Sequence, residues 1–468
     1  MSEIIYFIVD NKNPILRFEF ILFSYNYMMT HKKHLLISIV STALFSTNLL
    51  NATENTDVMK NDTWIFLPYA FSSDSTGFAG GVSAIKSGLF QPQTTFIGTI
   101  FTGLPQDVMT NGKKDEASFY GGFISFSDFK LPYTDRLFFS FMGLKSYFPK
   151  KSYYIDGSHT SHIDDAFITS GDSDFLTTTL RYTLPIGEGL DNPNGLYRLQ
   201  NGFCVGRDDC GNDTPFVTGR TSIGLKTFFQ SNNTDNTEMW KDSIWSESAT
   251  SAPTWNTNGL RFFLTHDNTD FDINPSRGYQ FQLQYSKDFG KGDSLQSWDF
   301  LEFKYNHYFD LDTFSFTQQN VLALSLWTGY SFSWNNEKEV SPGFNADRPP
   351  MWEGARLGGY AHMRGYDQDR FSDKAVFYAT AEYRAILNWN PLKNNTWLPV
   401  DVEWFQVVAF AEAGKVHEKY NLDLLSDMKY DVGISLRAMV SEVPVRVDVA
   451  YGDEGTYMWL MVQQPFNF

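Results

Sequence analysis

Val443-Pro444-Val445-Arg446-Val447-Asp448-Val449-Ala450-Tyr451-Gly452 carries a clear two-residue alternation. Val445, Val447, Val449 and Tyr451 share one face; Arg446, Asp448 and Gly452 share the other. A period of two places such sets on opposite faces of a β-strand. The pattern recurs upstream. In 429–439, Val432, Ile434, Leu436 and Ala438 oppose Asp431, Ser435 and Arg437. In 277–289, Phe281, Leu283 and Tyr285 oppose Gln280, Gln282 and Gln284. Strand-like segments continue from 64–71 to 457–466, about 16 in all, an even number within the range of transmembrane barrels. Most are long enough for a tilted strand to cross a bilayer.

Composition narrows the class. Aromatic residues make up 17% of the 468 residues and charged residues only 19%, yet the mean hydropathy is −0.31. Many aromatics without overall hydrophobicity fit an all-β transmembrane antiparallel β-barrel, apolar outside and polar inside. A soluble β-sandwich is the alternative. Helical spans need runs of about 20 apolar residues, and none follows residue 52. A net charge of −17 argues against nucleic acid as a partner, because phosphate binding needs a basic face.

The N-terminal region carries an export pattern. His31-Lys32-Lys33-His34 precedes an apolar core, Leu35-Leu36-Ile37-Ser38-Ile39-Val40 and onward, and small or polar residues lead to Ala52. Residues 28–52 are therefore expected to be a secretory signal peptide; a core helix or membrane anchor is the alternative. Residues 1–27 match no targeting segment and are expected to be an upstream extension, with translation starting at Met28 or Met29. A short segment, 53–62, then leads into a barrel over 63–468. An exported chain meets an oxidising compartment, so Cys204 and Cys210 are expected to form a local disulfide. Half of a metal site is the alternative.

Connections alternate in length. The segments 147–174, 230–257 and 333–372 are long, while the turns near 287–296, 440–443 and 453–456 are short. If the first strand rises from the periplasm, 333–372 lies outside and the cysteine-bearing segment 186–215 lies inside. Inner turns are usually short, which leaves open one further hairpin in 186–215.

The longest loop carries Gly358-Gly359-Tyr360-Ala361-His362-Met363-Arg364-Gly365-Tyr366. Strand 373–387 places Tyr378, Thr380, Glu382 and Arg384 on one face, the lumen face, since a carboxylate facing lipid is costly. In 404–413, Phe410 and Glu412 share a face that Gly414 continues, with Val407, Ala409 and Ala411 opposite. Glu382 and Glu412 thus project inward from neighbouring strands. The guanidinium of Arg364 can grip a carboxylate with two parallel bonds, and Gly365 lets the loop turn tightly against the wall. The loop before strand 12 is expected to fold inward, pinned by Arg364 to Glu412, Glu382 or both. Alternatively, Arg364 is a solvated loop residue and the glutamates line a polar channel.

These residues resemble the barrel of the bacterial surface antigen family, the BamA/TamA-type outer-membrane insertases and secretion transporters. Met363-Arg364-Gly365-Tyr366 resembles that family's Val-Arg-Gly-Phe/Tyr loop signature. Phe410-Ala411-Glu412-Ala413-Gly414 resembles its Phe-x-Asp-x-Gly strand motif, with Glu in place of Asp. Glu382-Tyr383 resembles its Glu-aromatic pair. His266 to Gly278 resembles an Asp-rich turn ending in Pro-x-x-Gly. Pro444 to Asp448 and Gln463-Gln464-Pro465-Phe466 also fit, the latter followed by Asn467-Phe468. The resemblance covers 60–468 and implies a latch of Arg364, Gly365, Tyr366, Glu382, Phe410, Glu412 and Gly414. The family usually carries POTRA repeats before the barrel; here only 53–62 intervene, which implies a barrel-only member. Its expected location is the outer membrane of a Gram-negative bacterium. Its expected partners are outer-membrane lipid, a protein client, and a second copy or a separate periplasmic protein. The implied role is insertion or translocation of protein or lipid; a passive pore or structural surface antigen is the alternative.

No catalytic motif emerges, so no enzyme and no cofactor is expected. Gly-x-Ser-x-Gly, His-Glu-x-x-His and a phosphate loop are missing. Ser83-Ala84-Ile85-Lys86 lies on a strand, where Ser-x-x-Lys lacks its helical geometry. Asp267, Asp270 and Asp272 could bind calcium, but an Asp-rich turn accounts for them more simply. The histidines show no ligand spacing.

Overall fold

The computed structural model describes residues 64–466 apart from 74, 111–112, 155–156, 196–197, 206–213, 236–253, 295, 342–343, 394–400, 441–442 and 463. The expected leader 28–52, the start site and Cys210 lie outside the described residues. The Cys204–Cys210 pairing therefore remains an expectation.

Sixteen strands form one antiparallel sheet that curls into a nearly closed transmembrane barrel. They are β1 (Ile65–Ser73), β2 (Gly77–Ser87), β3 (Thr95–Gly103), β4 (Tyr120–Lys130), β5 (Leu137–Tyr153), β6 (Phe167–Gly187), β7 (Arg220–Asn233) and β8 (Thr254–Thr269). The second half comprises β9 (Gly278–Phe289), β10 (Ser297–Leu311), β11 (Thr317–Tyr330), β12 (Ala375–Leu387), β13 (Val402–His417), β14 (Lys429–Val440), β15 (Val443–Gly452) and β16 (Gly455–Val462). Each strand pairs with its sequence neighbours. Among the described residues, β1 pairs only with β2 and β16 only with β15, so no ladder joins the first strand to the last. Pro68 sits on β1, an edge strand, where a missing N–H is tolerated.

Side-chain burial follows the two-residue period. Val432, Ile434 and Leu436 are more than half exposed on the outer wall of β14, while Asp431, Ser435 and Arg437 are buried in the lumen. The outer positions meet lipid in place of a protein core, and the polar set fills the interior. In β9, Gln280, Gln282 and Gln284 point inward and Leu283 outward.

Strand alternation sorts the connections to two ends. The near end, where β1 starts, also carries 188–219, 270–277, 388–401 and the tail after Val462. The far end carries 154–166, the long loop 331–374, 418–428 and the 453–454 turn. Three expectations need correction. First, 147–174 is not all loop: β5 and β6 extend to Tyr153 and from Phe167, because the hairpin keeps its ladder beyond the wall. Second, among its described residues 188–219 adds no wall strand. It holds a small hairpin, Arg198–Gln200 with Phe203–Val205, separate from the barrel sheet. Third, the last strand ends at Val462, not 466. The Arg437 Nη1 donates to Gln464 Oε1 at 2.7 Å, and Pro465 offers no N–H to a ladder, so the tail turns into the lumen.

Candidate functional site

The 331–374 loop enters the lumen, where its Leu357, Met363, Tyr366 and Phe371 pack with Val376 and Tyr378 of β12 and Val416 of β13. Two glycines make the entry turn: Gly358 and Gly359 have φ of 107° and 102°, which favours residues without a Cβ. His362 stacks on Trp327, centroids 4.2 Å apart, and meets Tyr378 edge to face, centroids 4.9 Å apart. Met363 takes φ 60° and is buried against Gly414, where a Cβ would sit 3.3 Å from its Sδ and 2.8 Å from Leu357 Cδ1.

That turn aims Arg364, 1% exposed, at the wall. Its Nη2 lies 2.9 Å from Glu382 Oε1 and 3.0 Å from Glu412 Oε1. Its Nε donates to Glu412 Oε1 at 3.0 Å, and its backbone N–H donates to Glu412 Oε2 at 2.5 Å. Its Nη1 is 3.5 Å from Asp448 Oδ2. The guanidinium carbon lies 3.5 Å from the centroid of the Phe410 ring. Tyr378 donates its hydroxyl to Glu412 Oε1 at 2.6 Å. A cation so far from water is tolerable only with this density of partners.

The neighbours of Arg364 hold the loop on two more strands. Gly365 N–H donates to Asp431 Oδ2 at 3.0 Å. A Cβ there would sit 2.5 Å from Asp431 Cβ and 2.8 Å from the Gly452 nitrogen, so the backbone approach requires glycine. Tyr366 donates to the Tyr430 carbonyl at 3.1 Å. Trp459 of β16 donates its indole N–H to the Arg364 carbonyl at 2.8 Å. The loop thus bridges β12, β13, β14, β15 and β16.

The alternation puts Arg384, Asp431, Arg437, Arg446 and Asp448 on lumen faces, but pattern alone does not connect them to Arg364. Glu382 accepts from Arg384 Nε at 2.8 Å and from Arg437 Nη2 at 2.9 and 3.0 Å. Arg446 pairs with Asp448 and donates to the Tyr360 carbonyl at 3.1 Å. Arg364, Arg384, Arg437 and Arg446 face Glu382, Glu412, Asp431 and Asp448, so the cluster is balanced in formal charge. Arg370, also fully buried, grips Glu454 with Nε at 2.8 Å and Nη2 at 2.7 Å, and donates to the Ser161 carbonyl at 2.7 Å. Nothing in the sequence pattern singles out Arg370. The contact arises because 154–166 and the 453–454 turn converge on the loop at the far end.

Other sequence candidates have structural roles. Asp270 accepts from Ser276 N and Oγ and from Arg277 N, at 2.8, 2.5 and 3.2 Å. Asp267 accepts from Thr269 N and Oγ1 at 3.0 and 2.6 Å. The Asp267 bond to Thr269 N is of the Asx kind, while Asp270 clasps the far side of the 270–277 turn. Cys204 packs beside Phe203 against Trp404 and Met439.

Architecture and site together define a sixteen-stranded transmembrane β-barrel whose longest far-end loop folds into the lumen. An Omp85 superfamily domain matches residues 112–468, and the chain belongs to that superfamily. Among solved structures it is similar to BamA from Haemophilus ducreyi lacking POTRA domains 1-3, at 12% identity and TM-score 0.44, covering 91% of this chain and 77% of that one. It is similar to CdiB from Acinetobacter baumannii at 11% identity and TM-score 0.46, covering 85% of this chain and 58% of that one. It is also similar to CdiB from Escherichia coli at 11% identity and TM-score 0.49, covering 85% and 61%. No curated protein gives a significant sequence match.

Proposed function

We propose that this barrel inserts or translocates protein or lipid at the outer membrane of a Gram-negative bacterium, with the 331–374 loop as a structural latch. The observation that carries the reading is that, among the described residues, no ladder joins β1 to β16. An unpaired edge exposes backbone N–H and C=O groups, a template for an incoming strand. A passive pore has no use for such an edge and gains by closing it. The latch supports the same reading. Arg364, Gly365 and Arg370 tie β12–β15 and the β15–β16 hairpin to one loop, so the wall on that side of the seam keeps its shape without a partner strand. Arg364 is a positioning residue here; no reacting group is involved.

Depletion followed by outer-membrane proteomics tests the function. The expected result is a selective fall in a set of other barrels or secreted proteins. Unchanged levels of all of them would leave the passive pore or surface antigen standing.

A further inference from the structure

The lumen is lined unequally. Gln230 of β7 donates to Glu353 of the latch loop at 2.5 Å, which fixes its side chain inside the barrel. Residues directly opposite in a ladder share a face of the sheet. One register row therefore carries this inner face from Gln230 to Phe175, Leu144 and Phe123, and on through Thr99 and Ser83 to Leu67. The next row toward the near end runs from Phe228 through Thr177, Met142, Ser125, Ile97 and Ile85 to Ile65. From β1 to β6 neither row contains an Asp, Glu, Lys or Arg, whereas the same face of β12 to β15 carries the ion cluster.

This charge-free wall is not packed away. Phe228, Trp298 and Phe300 share a core with the latch loop and are 1–2% exposed. Met142 stays 39% exposed, and Phe123, Leu144 and Phe175 are only half-buried. Apolar side chains bare to a lumen cost free energy in proportion to their area, and a contiguous patch of them marks a binding surface. An incoming strand paired at the edge of β1 covers one strand spacing of about 4.8 Å. It does not reach Phe123, Leu144 or Phe175, which lie three to five strands further round.

Two features identify the occupant. The first is continuity with the bilayer. Phe66, Pro68 and Ala70 face lipid from the outer side of β1, and Ile65 and Leu67 face the lumen from its inner side. Apolar side chains thus flank the unpaired edge on both faces, and an acyl chain can round it without leaving them. The second is charge. Lys226 precedes Phe228 and Gln230 by two and four residues, so it stands on the same inner face, beside the end of the charge-free wall. Its cross-strand neighbour is a second cation, Arg261, an unfavourable pairing of like charges. Arg261 is matched by Glu353 at 2.5 Å; Lys226, half-buried, makes no hydrogen bond or ion pair among the described residues. An unmatched cation at the border of an apolar wall is complementary to a phosphate that carries acyl chains. We propose that the inner face of β1 to β6 binds one phospholipid, with an acyl chain along Leu67, Phe123, Leu144 and Phe175 and the phosphate on Lys226. This rests on the insertion and translocation reading and names lipid as the substrate class.

Photocrosslinking of the full-length protein tests this, in vesicles of dioleoyl phosphatidylethanolamine and dioleoyl phosphatidylglycerol. Benzoylphenylalanine replaces Phe123 on the inner face or, as a reporter of bilayer contact, Ile124 on the outer face, which is 42% exposed. Mass spectrometry identifies what each label captures, and heat-modifiable gel mobility checks that each protein is folded. Both labels are expected to capture an acyl chain. Lys226→Gln should lower capture at Phe123 about tenfold, the worth of one charge-assisted bond, and leave capture at Ile124 unchanged. A folded protein that captures lipid at Ile124 and none at Phe123 overturns the site. Capture at Phe123 that is indifferent to Lys226→Gln overturns the headgroup assignment, and capture of a polypeptide there in whole cells overturns lipid as the occupant. The outcomes separate the site from the function it rests on. Lipid at Phe123 with an unchanged outer-membrane proteome on depletion rejects the insertion reading alone, and a depleted proteome without lipid at Phe123 rejects the site alone.

Discussion

The guanidinium carbon of Arg364 lies over the Phe410 ring, 3.5 Å from its centroid, while its nitrogens face Glu382, Glu412 and Asp448. The ring adds an aromatic face to the carboxylates around the buried cation. Desolvated cation–π contacts are worth about 2 kcal/mol. Phe410→Leu keeps apolar volume and removes the π face. It should lower the unfolding temperature seen by heat-modifiable mobility while leaving the loop inside. An unfolding temperature equal to wild type would show that the ring acts only as a spacer.

Arg364→Ala is a harsher change. It leaves Glu382, Glu412 and Asp448 buried with one cation fewer, and breaking a buried pair from one side costs about 3–5 kcal/mol. The loop should leave the lumen, and protease added from outside should cut 331–374. Arg364→Lys keeps the charge but not the fork, so it should give partial protection. Protection of the alanine variant equal to wild type would sink the latch.

Gly365→Ala tests the latch without touching a charge. The new Cβ would meet Asp431 Cβ at 2.5 Å and the Gly452 nitrogen at 2.8 Å. Overpacking of this kind costs about 1–3 kcal/mol, and here it presses the loop off β14 and β15. Protease sensitivity should approach that of Arg364→Ala although every ion-pair partner is still present. A protected loop would mean that the wall can give way at this point.

Alternation made the lumen faces of Glu382, Glu412, Asp431 and Asp448 legible, because a one-residue slip would put carboxylates in lipid. Arg364 as the loop's inward-pointing residue followed from its glycine neighbours and the family motif. What alternation does not encode is which segments cross the lumen. The sequence reading makes Phe466 the last residue of a strand over 457–466. In the structure it packs on Tyr308, Val321 and Ala323 across the barrel, and its carbonyl accepts from Asn306 Nδ2 at 2.7 Å. The Arg370–Glu454 pair was hidden for the same reason: its partners come from separate far-end turns, and no sequence period relates them.

The seam gives a prediction of its own. Local opening is easiest where few hydrogen bonds hold the backbone. β1 and β16 each have one ladder neighbour, whereas β7 to β12 have two. Hydrogen exchange followed by mass spectrometry should find the amides of 65–73 and 455–462 exchanging fastest among wall strands. Protection there equal to that of β9 would mean a zipped seam and would remove the main support for the insertion reading.

The near-end mouth holds a second obstruction. The hairpin around Gly202 leaves the wall between β6 and β7, yet its tip meets Trp404 of β13 and Met439 of β14. These strand pairs are seven strands apart in a sixteen-strand order, so the hairpin spans the mouth. Trp404 donates its indole N–H to the Gly202 carbonyl at 3.3 Å. Gly202 has φ 73°, and a Cβ on it would sit 2.8 Å from Trp404 Nε1 and 3.1 Å from Met439 Cγ. A β-branched residue suits neither the backbone nor the space. Gly202→Val should therefore unseat the tip and raise single-channel conductance in planar bilayers several-fold, while Asn201→Gly, at the exposed neighbouring position whose φ of 53° suits glycine, should not. Equal conductance in the wild type and Gly202→Val would show that the hairpin lies across the mouth without blocking ions.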